Sequence, residues 1–408
     1  AHNSPTIAVN PDDEDVLVVV DKIDRPSFAA AIHRSEDGGE SWSEAPFPIP
    51  SGEDRPYAPD LVWGADKLYL SFVTLTGRGN NPEAIWLSTS DDAGVTWNSP
   101  QQVFDRSYAF QVRMASDTSG RLYLTWLQGA EETTGTLSFT AAGLPIVAAF
   151  SDDEGESWSE PVQVSSSERE RVGAAVPVAG SEGDLYVLFF DYKDDRFDWE
   201  NLEGDVYAGT FELVLAHGDV EGGAFEESVV EAGVVPYERF LVYLPKFPSL
   251  AMDPSSSVLY AGWSDARDGD PDVFVRRSED GGATWSEPVR IHESSPRAQY
   301  LATLDAVSGR LDALYLDRRA DPADRLTAAF FASSTDEGRT WSDLEVASES
   351  FNSRLGPEGI PGQPDQGTRV GLASTETAAF AVWTDARRSS KLTGTLDIFF
   401  AKVAFKKN

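Results

Sequence analysis

One octet, Ser-x-Asp-x-Gly-x-Ser/Thr-Trp, occurs five times along the chain and constrains its fold more than any other feature. The copies are Ser35–Trp42, Ser90–Trp97, Ser151–Trp158, Ser278–Trp285 and Ser334–Trp341. Their starts lie 55, 61, 127 and 56 residues apart, so the wide gap corresponds to two periods with one copy lost. Self-similarity at a fixed period indicates a repeat architecture. A repeat also suits 408 residues, since a single hydrophobic core stops growing at roughly 250–300 residues.

Each octet follows a short apolar stretch of strand character, and two more strand-like runs precede that stretch. The segments Ser4–Pro11 (SPTIAVNP) and Phe247–Pro254 (FPSLAMDP) align position for position, which fixes the register between distant units. Carried along the chain, this register gives seven starts, near Pro5, Ala58, Gln111, Gly173, Pro248, Gln299 and Arg369. No segment has a convincing helical pattern.

Seven units of three or four strands predict an all-β fold, a single seven-bladed β-propeller over residues 1–408. One blade has an apolar face that only its neighbours can cover, so the ring must close. The predicted blades span about 1–52, 53–106, 107–167, 168–240, 241–294, 295–348 and 349–408. The chain opens on an innermost strand and ends on what resembles a third strand, so the last blade is expected to lack its outer strand. A six-bladed ring is the alternative.

Composition excludes several classes of partner and site. A net charge of −35 repels nucleic acid and anionic membrane surfaces, and no apolar run approaches the roughly 20 residues of a membrane-spanning helix. The absence of cysteine removes disulfides, thiolate metal sites and cysteine nucleophiles. Of the 33 basic residues 25 are Arg, the residue best suited to bidentate pairs with carboxylates.

The octet resembles the Asp box, or BNR repeat, and the chain is similar along its length to the sialidase-like Asp-box propellers. The resemblance implies that the octet forms the turn between the third and fourth strands of five blades, on the face opposite the ligand site. In such a turn the Asp accepts backbone N–H groups, the Gly permits positive φ and the Trp fills space between layers. These octet residues are therefore predicted to be structural.

A second recurrence falls at the end of the second strand, on the face where propellers bind ligands. Blades four to seven carry Asp-x-Lys/Arg there, as Asp191–Lys193, Asp265–Arg267, Asp317–Arg319 and Asp385–Arg387. In one interpretation these charges pair with each other and hold the ring. In another, Arg267, Arg319 and Arg387 clamp an anion or sugar while one Asp acts as acid or base. In a third, the Asp residues hold a structural cation such as calcium; no other cofactor is expected.

The loops before the innermost strands add basic residues on the same face. They are Arg55, Arg106, Arg113, Arg171, Arg239, Lys246, Arg297 and Arg369. Most are expected to balance neighbouring carboxylates, and Arg55, Arg171 and Arg369 are candidate ligand-binding residues. In the loop 191–204, Trp199 is either a platform on which a sugar stacks or a packing anchor.

The resemblance also implies a function, that of a sialidase-type glycoside hydrolase acting on an acidic or complex glycan. In that family an Arg triad grips the substrate carboxylate, a Tyr activated by a Glu attacks the anomeric carbon, and an Asp is the acid/base. The matching nucleophile here is Tyr300, with Tyr243 as a rival, and the acid is Asp265 or Asp317. Ser4-Pro5-Thr6-Ile7 replaces the family's first-blade Arg-Ile-Pro, and no Glu matches the partner of the Tyr.

The alternative hypothesis is a non-catalytic propeller that binds glycan or protein at the same face, because fold alone does not establish activity. Under either hypothesis the expected partner is a glycan or another small molecule, and a monomer is expected. A secreted or periplasmic location is also expected, with any signal peptide already removed.

Overall fold

The computed structural model describes residues 1–77, 80–105, 108–129, 142–180, 183–195, 207–237, 246–293, 296–356, 358–360, 363–364, 366–390 and 392–406. Seven antiparallel sheets form a closed ring, a seven-bladed β-propeller, which confirms the predicted fold and rules out six blades. The described residues contain no α-helix, only the 3-10 turn Ser353–Leu355. None of their helical segments has the length and apolar character needed to cross a membrane.

The first four blades each have four strands, ordered from the channel outwards. Blade 1 contains β1 (His2–Asn10), β2 (Asp13–Ile23), β3 (Ala29–Ser35) and β4 (Ser43–Ala45). Blade 2 contains β5 (Pro56–Trp63), β6 (Leu68–Thr76), β7 (Asn81–Ser90) and β8 (Gln101–Phe104). Blade 3 contains β9 (Ala109–Ser116), β10 (Leu122–Gln128), β11 (Ile146–Ser151) and β12 (Val162–Gln163). Blade 4 contains β13 (Val172–Ala179), β14 (Asp184–Asp191), β15 (Phe211–Asp219) and β16 (Ala224–Val234).

The remaining blades follow the same order. Blade 5 contains β17 (Ser249–Met252), β18 (Leu259–Asp265), β19 (Asp272–Ser278) and β20 (Val289–Arg290). Blade 6 contains β21 (Gln299–Val307), β22 (Arg310–Asp317), β23 (Leu326–Ser334) and β24 (Ser342–Glu345), and β25 (Phe351–Asn352) also pairs with β23. A separate hairpin joins β26 (Glu358–Ile360) to β27 (Gln363–Pro364). Blade 7 contains β28 (Gly371–Ser374), β29 (Ala378–Asp385) and β30 (Asp397–Ala404).

The apolar core lies between neighbouring blades. In β2, Val19 packs with Phe380 of blade 7, whereas the adjacent Val18 and Val20 pack with Leu61 of blade 2. Both faces of the strand are therefore buried, which explains why the second strand of a blade reads as a continuous apolar run rather than as an alternation.

The octets form one repeated turn between the third and fourth strands. In the third copy, Asp153 accepts hydrogen bonds from the Ser157 N–H at 2.8 Å and from the Ser157 hydroxyl, and Ser151 Oγ accepts one from Gly155 N at 2.9 Å. Gly155 has φ +88°, and a Cβ there would lie 2.2 Å from Leu87 of the preceding blade. Glycine is thus required both by backbone conformation and by close packing of blade on blade.

Blade 4 lacks an octet, and a different turn connects its third and fourth strands. Asp219 Oδ1 accepts from Glu221 N at 2.9 Å, and Gly223 N donates to the Asp219 carbonyl at 3.0 Å. This tight hairpin leads into a fourth strand of 11 residues. The doubled spacing between the third and fourth octets therefore marks a blade with a lost octet, not a lost blade.

The ring closes between blades 7 and 1 without a shared sheet. His2 N donates to the Leu396 carbonyl at 3.0 Å, and Thr368 N donates to Ser4 Oγ at 2.8 Å. On the outer side, the rings of Trp42 and Phe400 meet edge to face with centroids 5.1 Å apart. Side chains and single backbone bonds thus seal the seam between the first and last blades.

Candidate functional site at the channel mouth

The two ends of the channel differ in the loops that surround them. Gly38 N, in the first octet, donates to the Asp15 carbonyl, so the octet lies at the same end as the turn between β1 and β2. At the opposite end the starts of the inner strands meet the loops after the second strands, as in the bond from Tyr192 N to the Arg171 carbonyl at 2.8 Å. This second end, the channel mouth, carries nearly all the sequence-predicted site residues.

Five inner strands carry a β-bulge at their mouth end, each with a non-glycine residue at positive φ. They are Ser4, Ala58, Gln111, Ala174 and Leu301, with φ of 51 to 57°. A bulge redirects the side chains beside it. Here it lets Gln111 Oε1 of blade 3 accept from Ala174 N of blade 4 at 2.7 Å, so the bulges interlock neighbouring blades around the mouth.

Asp60, just after the bulge of blade 2, is the centre of a charged cluster. Its side chain is buried and accepts from Met114 N of blade 3 at 3.0 Å and from Thr6 Oγ1 of blade 1 at 3.1 Å. The Arg113 guanidinium lies 3.4 Å away, measured from Nε to the Asp60 Oδ2 atom. Three blades therefore meet at one carboxylate.

Arg369 reaches the same cluster from blade 7. Its Nε donates to Thr6 Oγ1 at 3.0 Å and its Nη2 to the Pro59 carbonyl at 2.5 Å. Burial lowers the Arg369 pKa to about 9; the nearby Arg113 cation adds to this and the Asp60 carboxylate opposes it. Burial disfavours the charged form of the guanidinium, and the neighbouring Arg113 cation disfavours it further.

Arg113 is the least satisfied member of the cluster. Its Nε and Nη1 atoms are buried and make no hydrogen bond within the described part of the chain. The guanidinium carbon lies 5.7 Å from the Phe247 ring of blade 5. Arg171 has a buried Nε that is likewise unbonded among the described residues. Arg113 and Arg369 thus interact with the same carboxylate, that of Asp60, and two donor atoms of Arg113 have no acceptor among the described residues.

Further polar groups border this cluster. Lys22 Nζ donates to the Tyr57 hydroxyl at 3.0 Å and pairs with Asp24 at 3.2 Å, and Asn3 donates to Asp24 at 2.6 Å. Lys246 donates to the Gly367 carbonyl. The mouth is therefore lined with donors and cations although the chain as a whole is strongly acidic.

The Asp-x-Arg motifs form self-contained pairs. Arg319 donates to Asp317 from its backbone N and its Nε, both at 2.6 Å, and Arg387 donates to Asp385 at 2.7 and 2.8 Å. Arg267 repeats this arrangement on Asp265 at 3.0 and 2.8 Å. Each of these three Asp side chains is fully buried. The carboxylates are thus already matched by their own arginines.

Arg319 and Arg387 extend towards the outer strands of their own blades, whereas Arg267 extends towards the outer strand of the preceding blade. Arg319 Nη2 contacts Asp343 of β24 at 2.6 Å, and Arg267 Nη2 lies 3.4 Å from Glu231 of β16. Arg387 lies over the Phe399 ring of β30, with its guanidinium carbon 4.2 Å from the centroid. Blade 4 varies the scheme, because Arg169 joins Lys193 on Asp191. This geometry fits the interpretation in which the charges hold the ring.

The remaining sequence candidates occupy different surroundings. Tyr300 is buried, its hydroxyl shares a hydrogen bond with Thr327 Oγ1 at 3.1 Å, and Arg318 lies over its ring at 5.7 Å. Arg55 donates to Asn80 at 2.9 Å and so braces the loop after β6. Trp199 and Tyr243 lie outside the described residues, as do Arg106 and Arg239.

Sequence reasoning missed Asp60 and Tyr57. Tyr57 precedes Ala58 and Asp60 follows it by two positions, and Ala58 is one of the aligned inner-strand starts. The available signal is therefore this recurrent position at the mouth rather than a motif. In the sequence, Arg113 is only one of several basic residues near the starts of inner strands. Its importance comes from contacts with blades 2 and 5, which a linear pattern does not show.

Comparison with known proteins supports the fold. No protein-family model and no curated protein matches the chain. Among solved structures, an ulvan lyase bound to a glucuronic acid–sulfated rhamnose glycan aligns with 94% of this chain and 89% of its own, at 12% identity and a TM-score of 0.54. The phage phi92 endosialidase aligns over 99% of this chain and 67% of its own, at 10% identity and a TM-score of 0.52.

A third neighbour is the α-L-arabinofuranosidase Arb93A of Fusarium graminearum. It aligns over 86% of this chain and 93% of its own, at 12% identity and a TM-score of 0.50. All three neighbours carry names of glycan-processing enzymes. At such low identity the likeness concerns the fold alone.

Proposed function

We propose that this chain is a carbohydrate-active propeller that binds an acidic glycan at the channel mouth, with Arg113 and Arg369 facing the carboxylate of the sugar. The observation that carries the proposal is that the buried Nε and Nη1 of Arg113 have no hydrogen-bond partner among the described residues, next to the buried guanidinium of Arg369. Guanidinium groups bind carboxylates through paired N–H donors. An anionic sugar would supply the negative charge and the acceptors that Asp60 alone does not provide.

The net charge of −35 does not oppose this site at close range. Charges on the outer surface are screened within about 10 Å at 0.1 M salt. Inside the mouth the nearest charged groups determine the electrostatic interaction with a ligand, because interactions between partly buried groups are screened much less. Among structural neighbours, the ulvan lyase is described with a glucuronic acid-containing ligand, which is compatible with an acidic glycan here.

Within this proposal, the chain is a glycoside hydrolase related in design to the sialidase-like Asp-box propellers. The roles of Tyr300 as nucleophile and of Asp265 or Asp317 as acid stay predictions. A catalytic group must come within hydrogen-bond reach of the substrate. Since Asp265 and Asp317 are fully buried beneath their own arginines, activity through them requires those pairs to open.

The alternative proposal is a non-catalytic glycan-binding module at the same mouth. The burial of Asp265, Asp317 and Tyr300 favours it, because all three side chains already have partners inside the fold. The two proposals share the arginine site and differ in whether a bond in the glycan is broken.

A panel of fluorogenic uronides, sialosides and neutral glycosides, combined with a glycan array, tests the proposal. Turnover of an acidic glycoside identifies a hydrolase, and binding of acidic glycans without turnover identifies a module. Binding confined to neutral glycans, or no glycan binding at all, would contradict the acidic-glycan site.

A further inference from the structure

A second cluster, of two histidines and an aspartate, lies in blade 1. His2 of β1 approaches Asp21 of β2 with Nδ1 2.7 Å from Oδ1 and 3.1 Å from Oδ2. His33 of β3 approaches from the other side, with Nε2 3.2 Å from Asp21 Oδ2. One ligand atom from each residue lies within 4.8 Å of both others. We propose that His2, Asp21 and His33 bind a divalent transition-metal ion, with zinc the best fit.

The cluster replaces the arginine that the other blades use. Asp21 occupies the position of Asp265, Asp317 and Asp385 at the end of the second strand, but Ile23 stands where those blades have Arg. The Asp21 side chain is fully buried, with imidazoles in place of a permanent cation. A buried carboxylate needs a compensating charge, and a bound divalent cation would provide it.

The spacing of the donors suits a small ion. Metal–nitrogen and metal–oxygen bonds of about 2.0–2.1 Å in a tetrahedral zinc site place neighbouring ligand atoms about 3.3 Å apart. The separations of Asp21 Oδ2 from the two ring nitrogens, 3.1 and 3.2 Å, are close to this value. The two ring nitrogens also lie within 4.8 Å of each other.

The donor set selects the class of metal. Two imidazoles and one carboxylate suit zinc and related first-row ions, whereas calcium and magnesium prefer all-oxygen surroundings. The His2 and His33 side chains are 31% and 22% exposed, so an ion can enter from solvent and keep water in its remaining positions. Three protein ligands plus water is a common arrangement for an open zinc site.

The location of the cluster in blade 1 indicates a structural role for a bound metal ion. Val19 of β2 packs against blade 7. Because residues two apart lie on the same side of a strand, the Asp21 side chain lies on this side of β2 as well. The three ligands come from three successive strands of blade 1, at the seam where the ring closes. A bound metal would fasten β1 to its sheet beside this seam, and this role is independent of the proposed glycan site.

Metal content of tag-free protein tests the proposal. The chain is incubated with Zn²⁺, dialysed against metal-free buffer and assayed for zinc, alongside H33Q, H2Q and D21N. His217→Gln is the matched control, because His217 also approaches a carboxylate, at 3.5 Å from Asp184, but has no second histidine in its group. We expect about one zinc per chain for wild type and H217Q, and at least tenfold less retained zinc for the three cluster variants.

Two further readouts keep the test decisive. Co²⁺ should give visible d–d absorption in wild type that is lost in H33Q, and Zn²⁺ should raise the melting temperature of wild type but not of H33Q. Near-UV circular dichroism verifies that each variant is folded, and if D21N fails to fold, H2Q and H33Q decide. Wild type without retained zinc, or H2Q and H33Q that retain it fully, would overturn the proposal and leave the cluster as a histidine–carboxylate hydrogen-bond group.

Discussion

Arg369 donates a hydrogen bond to the carbonyl oxygen of Pro59 at 2.5 Å and so joins the last blade to the second across the first. The two residues are 310 positions apart in sequence. This contact places a cation of the candidate ligand site at the point where the ring closes. A variant of Arg369 would therefore disturb closure and ligand binding together, and Arg113 is the cleaner probe of binding.

Arg319→Ala is expected to destabilise the protein without changing glycan affinity. The substitution strands the fully buried Asp317 without its cation, and removing one partner of a buried ion pair typically costs about 3 kcal/mol or more. Thermal unfolding and glycan binding are measured on the same sample.

Arg339→Ala is the control for this experiment, because Arg339 is in the same blade and half exposed, with one ion pair to Glu337. It should change stability by less than about 1 kcal/mol. If Arg319→Ala instead melts like wild type and loses the glycan, Arg319 is part of a ligand clamp.

Gly155→Ala should destabilise far more than Gly309→Ala. Both glycines have positive φ, +88° and +81°, so both substitutions carry the conformational cost of about 1 kcal/mol. Only at Gly155 does the new methyl group meet another blade, 2.2 Å from Leu87, whereas nothing lies within 4 Å at Gly309. Equal melting temperatures for the two variants would show that the octet turn is not packed against the preceding blade.

The octet carboxylates predict a specific loss of stability in acid. Hydrogen bonds from Thr284 and Ser278 lower the pKa of Asp280 from 3.8 to about 2. A depressed pKa in the folded state means that the stabilisation is full above the unfolded pKa and disappears as the pH falls through 2. Asp280→Asn should therefore melt below wild type at pH 7, and the difference should shrink towards pH 2.

Asp12→Asn controls for the loss of one charge, because Asp12 is exposed in the turn between β1 and β2. It should melt like wild type at both pH values. A difference between Asp280→Asn and wild type that grows towards pH 2 would contradict the assignment.

The fold could be predicted because its signals are local and repeated. The octets and the aligned inner-strand starts fix turn and register within each blade, and seven starts fix the blade number. The doubled spacing between the third and fourth octets also indicates that one blade between them, blade 4, has no octet. The hairpin that replaces the octet there, capped by Asp219, could not be foreseen because it has no counterpart in the other blades.

The site was harder to predict because it is assembled between blades. Arg113 belongs to blade 3 but its neighbours come from blades 2, 5 and 7, and their arrangement depends on the closure of the ring. The recurrence of the Asp-x-Arg motifs at one position in several blades is compatible with a shared ligand clamp. Their pairing is largely internal to each motif, which a sequence pattern cannot distinguish from a shared ligand site.

The most direct test of the account is the affinity of Arg113→Gln for the acidic oligosaccharide that wild type binds best among uronic- and sialic-acid ligands, measured by titration calorimetry. Arg297→Gln is the control, because Arg297 is also at the mouth but donates to the backbone carbonyls of Pro296 and Pro322. We predict at least a tenfold loss of affinity for Arg113→Gln, about 1.4 kcal/mol, with wild-type affinity for Arg297→Gln. Wild-type affinity in a folded Arg113→Gln protein would contradict the central claim.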